Sequence, residues 1–469
     1  MSLLGWLAPL TAALLLAPAS GQDLLYSFPA IPATVATNSL LMQGSDGSFY
    51  GTTYWGGDLT QSGGRGFGAV FKLSPAGELT TLVAFNGYNG AHPLSGLVKG
   101  SDGNFYGTTH WGGNRTLNGG NGYGTVFMIT PAGTLTTLIQ FSGVNGAYPS
   151  GELVRGSDGN FYGTTYGNLF GTVFKITPAG VLTTLIQFNA GNGGHPTAGL
   201  VQGSDGNFYG TTYWGGDLTL NEGNGYGTVF MITSAGVLTN LVKFNGDNGA
   251  HPYAGLVQNR DGNFYGTTYW GGDRTLNGGY GFGTVFKITS TGALTTLVQF
   301  NAANGGHPYA GLVQGSDGNF YGTTYWGGDL TLNGGGGFGT LFKVSPAGML
   351  TMLVQFTGGD DGGQPYAGIV QGGDGSFYGS TSVGGPGGGG TLFRLNVFPP
   401  SLSITLSSGQ PLLSWPGWAA NFTLQQNSDF TPANWTNVSA TPNLNPNNLR
   451  YEVMVPPSDS HGLFRLKQQ

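Results

Sequence analysis

Five tryptophans and four histidines recur in fixed surroundings along this chain of 469 residues. Trp55, Trp111, Trp214, Trp270 and Trp326 each open the pattern WGG[DN], while His92, His195, His251 and His307 each precede proline in NGxHP or GGHP. Flat indoles flanked by Asn and Asp suit sugar rings, because the ring face covers apolar C–H groups and the polar neighbours bind hydroxyls. The alternative is that each indole clamps its own long loop against the next repeat. The histidines suggest a metal ring, yet no HExxH or His-x-His accompanies them, and Tyr148 and Gln364 stand in equivalent positions. A structural hydrogen bond from each imidazole to a neighbouring loop carbonyl is therefore expected, and no metal. Asp58, Asp217, Asp273 and Asp329, with Asn114, supply one side chain per loop. That is too few for a calcium site built within one loop.

Catalysis needs an asymmetric constellation, so the informative places are those where the pattern breaks. In the third copy the long loop shrinks to YGNLFG, Tyr148 replaces histidine, and Glu152 occupies a position where other copies carry glycine, as at Gly199 and Gly255. If the protein is an enzyme, Glu152 is the candidate acid or base; neutral drift within one repeat is the plainer explanation. Asp360 and Asp361 form a second irregularity. GxSxG and GxxxxGK[ST] are absent, and the glycine-rich GNGYG and GYGFG precede a strand instead of a helix, so no dinucleotide or other cofactor is expected.

These residues are positioned by a repeat. An Asp-Gly step followed by an aromatic strand recurs at Asp46, Asp102, Asp158, Asp205, Asp261, Asp317 and Asp374, at intervals of 56, 56, 47, 56, 56 and 57 residues. Units of this size cannot bury their apolar faces alone and must pack on copies of themselves. Residues 253–300 serve as the pattern: YAGLVQ, an Asp-Gly turn, NFYGTTYW, a long glycine-rich loop, TVFKITS, a tight turn, and ALTTLVQF. Each short run is rich in Val, Thr, Tyr and Phe and is bounded by turn residues, which predicts four antiparallel strands, here called A to D. Four such strands per repeat make a propeller blade. The seventh copy lacks a D strand before Pro399, whereas residues 23–28, DLLYSF, match the end of TLVQF. The N-terminal segment is thus expected to complete the seventh blade and close the ring, leaving no free end. Alternating strand direction then places the B–C and D–A loops, with their Trp and His residues, on one face.

The series GSDGNFYGTT, GTVFKI and AGxLTTL, running in order over about residues 40–395, resembles the GloVer tandem-repeat family of exported bacterial proteins. DGNFYGT also resembles the DGxLWxGT strand of regulator-type and lyase-type propellers. The first resemblance implies export and a propeller-like array, and no particular chemistry.

Composition narrows the partners. Charged residues make up 8% and the net charge is −6, so a nucleic acid is not expected, and neutral ligands are. The 91 glycines fall at fixed offsets beside apolar residues, which marks them as turn and packing positions and not as disorder. Residues 1–21 form an apolar run ending near Ala17-x-Ala19 that resembles a secretory signal peptide, with a membrane anchor as the alternative. Cysteine is absent, which rules out disulfides and thiolate chemistry. The expected organisation is a signal peptide over 1–21, a seven-bladed β-propeller over 22–397, and a C-terminal β-sandwich of about six strands over 398–469. The expected role is that of a secreted or cell-surface binding or structural module, with no membrane insertion after cleavage. Its Trp and His face would meet neutral polysaccharide or a cell-surface protein. The competing role is a polysaccharide or lactone lyase or hydrolase working at the third blade.

Overall fold

The computed structural model describes residues 22–29, 41–44, 46–74, 78–167, 169–396, 402–407, 410–416, 422–427, 435–445, 450–454 and 463–468. The expected signal peptide lies outside them. The protein is all-β, a propeller-like series of antiparallel sheets made by the repeats and followed by two further sheets.

Local chemistry explains the strands. In the second repeat Asp102 Oδ1 accepts the Asn104 N–H at 3.1 Å while Gly103 takes φ +81°, so the chain reverses at once into Phe105–Thr109. Four residues on from the aspartate, Tyr106 donates its phenol proton to Asp102 Oδ2 at 2.8 Å. The same Asp-to-Tyr bond recurs from Asp46 to Tyr50 through Asp374 to Tyr378. Strands B and C pair in register, and the inner A strand is short, as in Met42–Gln43 against Phe49–Thr53.

Two sheets depart from four equal strands drawn from one repeat. The third has five, because the shortened loop lets strand B continue to Gly167 and pair with Ala147–Pro149 as well as Val154–Arg155. The last takes its outer strand from Gln22–Pro29, which runs antiparallel to Gly388–Leu395 with Ser27 opposite Thr391.

Between repeats the packing is the same at every junction. The tyrosine of one FYGTT lies on the phenylalanine of the next, tilted with centroids 4.6 Å apart for Tyr50 and Phe105 and stacked at 3.9 Å for Tyr162 and Phe208. Tyr378 of the last repeat meets Phe49 of the first at 4.2 Å, within a core that also holds Leu41, Phe71 and Leu392. A glutamine on each of several A strands accepts an N–H from the preceding turn: Gln202 from Ser157, Gln258 from Ser204, Gln371 from Ser316 and, across the chain, Gln43 from Gly373 at 2.8 Å. The first threonine of FYGTT reaches the next inner strand, as Thr211 does to the Ala254 carbonyl at 2.9 Å. Inner strands therefore touch backbone to backbone, so that a Cβ on Gly199 would sit 2.6 Å from the Glu152 carbonyl oxygen.

The described residues between Ser403 and Gln468 form a four-stranded and a three-stranded sheet around Leu413, Trp415, Leu424 and Val453, seven strands among them where about six were expected. Among the described residues no helix is long and apolar enough to cross a membrane.

The Asp-to-Tyr bonds give the fold an acid limit. Burial alone would raise the Asp46 carboxyl, but its bonds with Lys72, Ser48 and Tyr50 hold it at about 2, and Asp102, Asp158, Asp205, Asp261 and Asp317 are likewise lowered by their Tyr and Asn donors against the opposing effect of burial. Folded carboxyls depressed in this way stabilise the protein above the unfolded value of about 4, and that stability is lost as pH falls through the folded value. The melting temperature should be steady above about pH 5 and fall towards pH 2. Tyr209→Phe, removing one donor, should cost about 1 kcal/mol in a denaturant titration. A flat acid profile would contradict this account.

Candidate functional site

The D–A loops insert between successive B–C loops, and this sets the Trp and His residues. Ala91 bridges Trp111 of its own repeat, while the His92 N–H donates to the Phe67 carbonyl of the preceding one at 2.7 Å. His92 Nδ1 lies 2.9 Å from the Tyr54 carbonyl oxygen, and His195, His251 and His307 make the same contact with Tyr166, Tyr213 and Tyr269 at 3.0, 2.9 and 3.0 Å. All four residues sit in the left-handed region, with φ from +52° to +56°, as do Tyr148 and Gln364 at the equivalent positions. That conformation costs a non-glycine residue about 1 kcal/mol, and glycine would take it without strain. In a chain so rich in glycine, the side chain is kept for the interloop contact. Burial lowers the pKa of each of these imidazoles, which favours the neutral form.

The indoles pack on those imidazoles edge to face, at 4.3 Å for Trp55 and His92, 4.5 Å for Trp214 and His251, and 4.3 Å for Trp270 and His307. Trp111 packs on Tyr148 at 4.9 Å. Trp326, whose next repeat offers Gln364, lies over Gly336 and is 38% exposed, the barest of the five. His195 has no tryptophan, since the third repeat carries none, and packs on Tyr166 and Phe170 instead. Trp55 and Trp111 line a cavity of about 260 Å³ between the first two repeats, beside His92 and Arg115. Of the two expectations for the indoles, the clamp fits this packing at Trp55, Trp111, Trp214 and Trp270, which act as interloop wedges against the His or Tyr of the following repeat. Asp58 Oδ1 accepts from both Thr60 N and Oγ1, and Asp217, Asp273, Asp329 and Asn114 repeat this turn. No three metal-ligating side chains gather among the described residues.

A larger cavity, about 780 Å³, is lined by the inner strands of all the repeats. Its wall is uneven. Tyr253, Tyr309 and Tyr366 open three successive inner strands and form a row, with centroids 4.4 Å apart for the first pair and 4.1 Å for the second, stacked, pair. At the matching positions of the second, third and fourth repeats stand Leu94, Ser150 and Thr197. Ser150 Oγ is 3.2 Å from His110 Nδ1 and donates to the Tyr148 carbonyl at 3.1 Å; burial pushes His110 down to about 4. Glu152, which keeps some exposed surface in the cavity, accepts the Gly96 N–H of the preceding repeat at 3.1 Å. Burial raises its carboxyl to about 7, with the Gly96 bond opposing.

The Gloeobacter/Verrucomicrobia repeat family matches residues 15–223 and again 218–410. The chain belongs to this family. In this member of the Gloeobacter/Verrucomicrobia repeat family the match spans the whole series of repeats and stops before most of the C-terminal two-sheet module. No curated protein matches it. Similar solved structures include a catalytically inactive virginiamycin B lyase from Staphylococcus aureus with quinupristin, at 16% identity and a TM-score of 0.49, covering 76% of this chain and 94% of that one. An oligogalacturonate lyase in complex with manganese is 12% identical with a TM-score of 0.48, covering 80% and 92%. A protein from Lactobacillus plantarum is 17% identical with a TM-score of 0.45, covering 70% and 86%.

The sequence reading overlooked Tyr253, Tyr309, Tyr366, His110 and Ser150. The signal was present in the residue after the recurring proline, which is Leu94, Ser150, Thr197, Tyr253, Tyr309 and Tyr366 in turn, and in His110 standing where Tyr54, Tyr166, Tyr213, Tyr269 and Tyr325 follow the same Gly-Thr-Thr. Because Trp214 and Trp270 are wedges, Trp214→Ala and Trp270→Ala should each destabilise by about 2–4 kcal/mol and lower the melting temperature. Unchanged melting in both variants would return them to the role of open platforms.

Proposed function

We propose that the repeats form a closed seven-bladed propeller, completed by residues 22–29, and that the protein is an exported binding module whose central cavity seats a hydroxyl-rich ligand such as a neutral polysaccharide. Closure is supported by the contact of Tyr378 with Phe49, by the bond from Gly373 to Gln43, and by the pairing of Ser27 with Thr391. Export is supported by the apolar leader at residues 1–21. The observation that carries the binding role is the row of Tyr253, Tyr309 and Tyr366 along one side of this cavity. Phenols offer both a flat apolar face and a hydroxyl, the pairing that a sugar ring requires.

Two measurements test this. In this cysteine-free chain, Ser27→Cys with Thr391→Cys should form an intramolecular disulfide under mild oxidation and raise the melting temperature; an open array would give no such link. On a glycan array the protein should retain neutral oligosaccharides, and Tyr309→Ala should weaken the best of them about tenfold or more in calorimetry. If Tyr309→Ala has no effect while rim substitutions abolish capture of a cell-surface protein, the partner is a protein at the Trp and His face instead.

A second reading, a polysaccharide or lactone lyase or hydrolase, is favoured by Glu152 alone, a carboxyl held near neutrality in a cleft as an acid-base group should be. Turnover on a substrate panel that disappears in Glu152→Gln would establish it.

A further inference from the structure

Charge divides the cavity as sharply as shape does. Among the described residues that line it Glu152 is the one acid, and neither lysine nor arginine is present. Lys99 and Arg155, at the outer ends of the two neighbouring inner strands, are exposed and do not line it. The other titratable groups around it are His110, kept neutral by burial, and the phenols of Tyr166, Tyr253, Tyr309 and Tyr366.

Glycine would serve the packing here, as Gly199, Gly255 and Gly311 do at the matching positions. The third repeat instead places a carboxyl against the Gly96 backbone, where one N–H satisfies one of the several acceptor sites that a carboxylate offers. An ionised carboxyl taken out of water needs a counter-charge, and the cavity wall supplies none. A bare divalent ion is a poor match, because hard cations take six or more oxygens and close carboxylates. A cavity of about 780 Å³ suits a larger cation, and the electron-rich phenol row suits one with an apolar shell.

We propose that the central cavity is a seat for an organic ammonium group, held by the Glu152 carboxylate and by the row of Tyr253, Tyr309 and Tyr366. The assignment rests on the reading of this cavity as the ligand seat and adds a single positive charge to the ligand. Such a cation binds the ionised carboxyl. With the free carboxyl near 7, about a tenth is ionised at pH 6 and most at pH 8, so affinity for a permanent cation should rise about tenfold between them. Binding at pH 6 should release a proton.

The test is calorimetry on the full chain with choline and with its neutral isostere 3,3-dimethylbutan-1-ol at pH 6 and pH 8. Choline should bind at least tenfold tighter than the isostere at pH 8 and gain affinity from pH 6 to pH 8. Glu152→Gln, whose amide oxygen can still accept the Gly96 N–H, should remove the pH difference and most of the preference for choline, leaving the part that the phenol row supplies, without lowering the melting temperature. Tyr309→Ala should weaken both probes. Equal binding of the two probes, or choline binding untouched by Glu152→Gln, overturns the ammonium assignment while leaving the cavity as a seat. If neither probe binds and Tyr309→Ala costs no oligosaccharide affinity, the seat itself is overturned. Glucosamine oligomers against lysine amide then separate a sugar-borne ammonium from a peptide-borne one, and failure of both to outbind their N-acetylated forms would also count against the assignment.

Discussion

The phenol of DGNFY is the interaction on which the rest of this structure depends. Its hydroxyl is held by the aspartate of its own turn, as in Tyr209 to Asp205 at 2.7 Å, while its ring lies on the phenylalanine of the next repeat, 4.0 Å away at Phe264. One residue therefore fixes the A–B turn and the spacing between sheets together. A buried tyrosine needs a partner for its hydroxyl, and the Asp-Gly turn provides one at no cost to the strand ladder. In the first six units the aspartate is kept ionised by the bonds it receives, so turn geometry, ring packing and charge state are coupled there.

A consequence of that spacing is the crowding at the centre. Inner strands approach until glycine is the fitting residue, as the 2.6 Å approach at Gly199 shows, and a larger side chain there is turned towards the cavity the strands line. Glu152 is such a side chain. Its raised carboxyl follows from where the repeat puts it, since the same group on a loop tip would be solvated. The tyrosines that open the fifth, sixth and seventh inner strands reach the cavity for a related reason, as each follows a proline preceded by a residue in the left-handed conformation, His251 and His307 held there by the Tyr213 and Tyr269 carbonyls and Gln364 in the last copy.

The rim is built on the opposite principle. There the long loops are held by reciprocal backbone bonds, Asp and Asn turns, and imidazoles that bridge one repeat to the next. Indoles complete the packing. The polar groups of this rim are largely paired within it and its rings meet edge to face.

The strands, their turns and the borrowed outer strand were legible in the sequence, because each follows from local chemistry: Asp-Gly at a turn, Val and Thr in alternation, a missing D strand matched by DLLYSF. The interloop bond of the histidines was legible for a similar reason, since residues replaceable by Tyr148 and Gln364 are poor candidates for metal ligands. The extra strand of the third sheet was not, because whether a shortened loop lets strand B run on to Gly167 depends on Tyr148 lying against it. Only the tertiary structure decided which aromatics face a cavity and which wedge a loop. Tyr253, Tyr309 and Tyr366 are 56 and 57 residues apart in the chain and become neighbours only when successive sheets pack at a fixed spacing. Period and composition determine that spacing exists; the direction in which a ring points is set by neighbours from other repeats, and that information is not local to any of them.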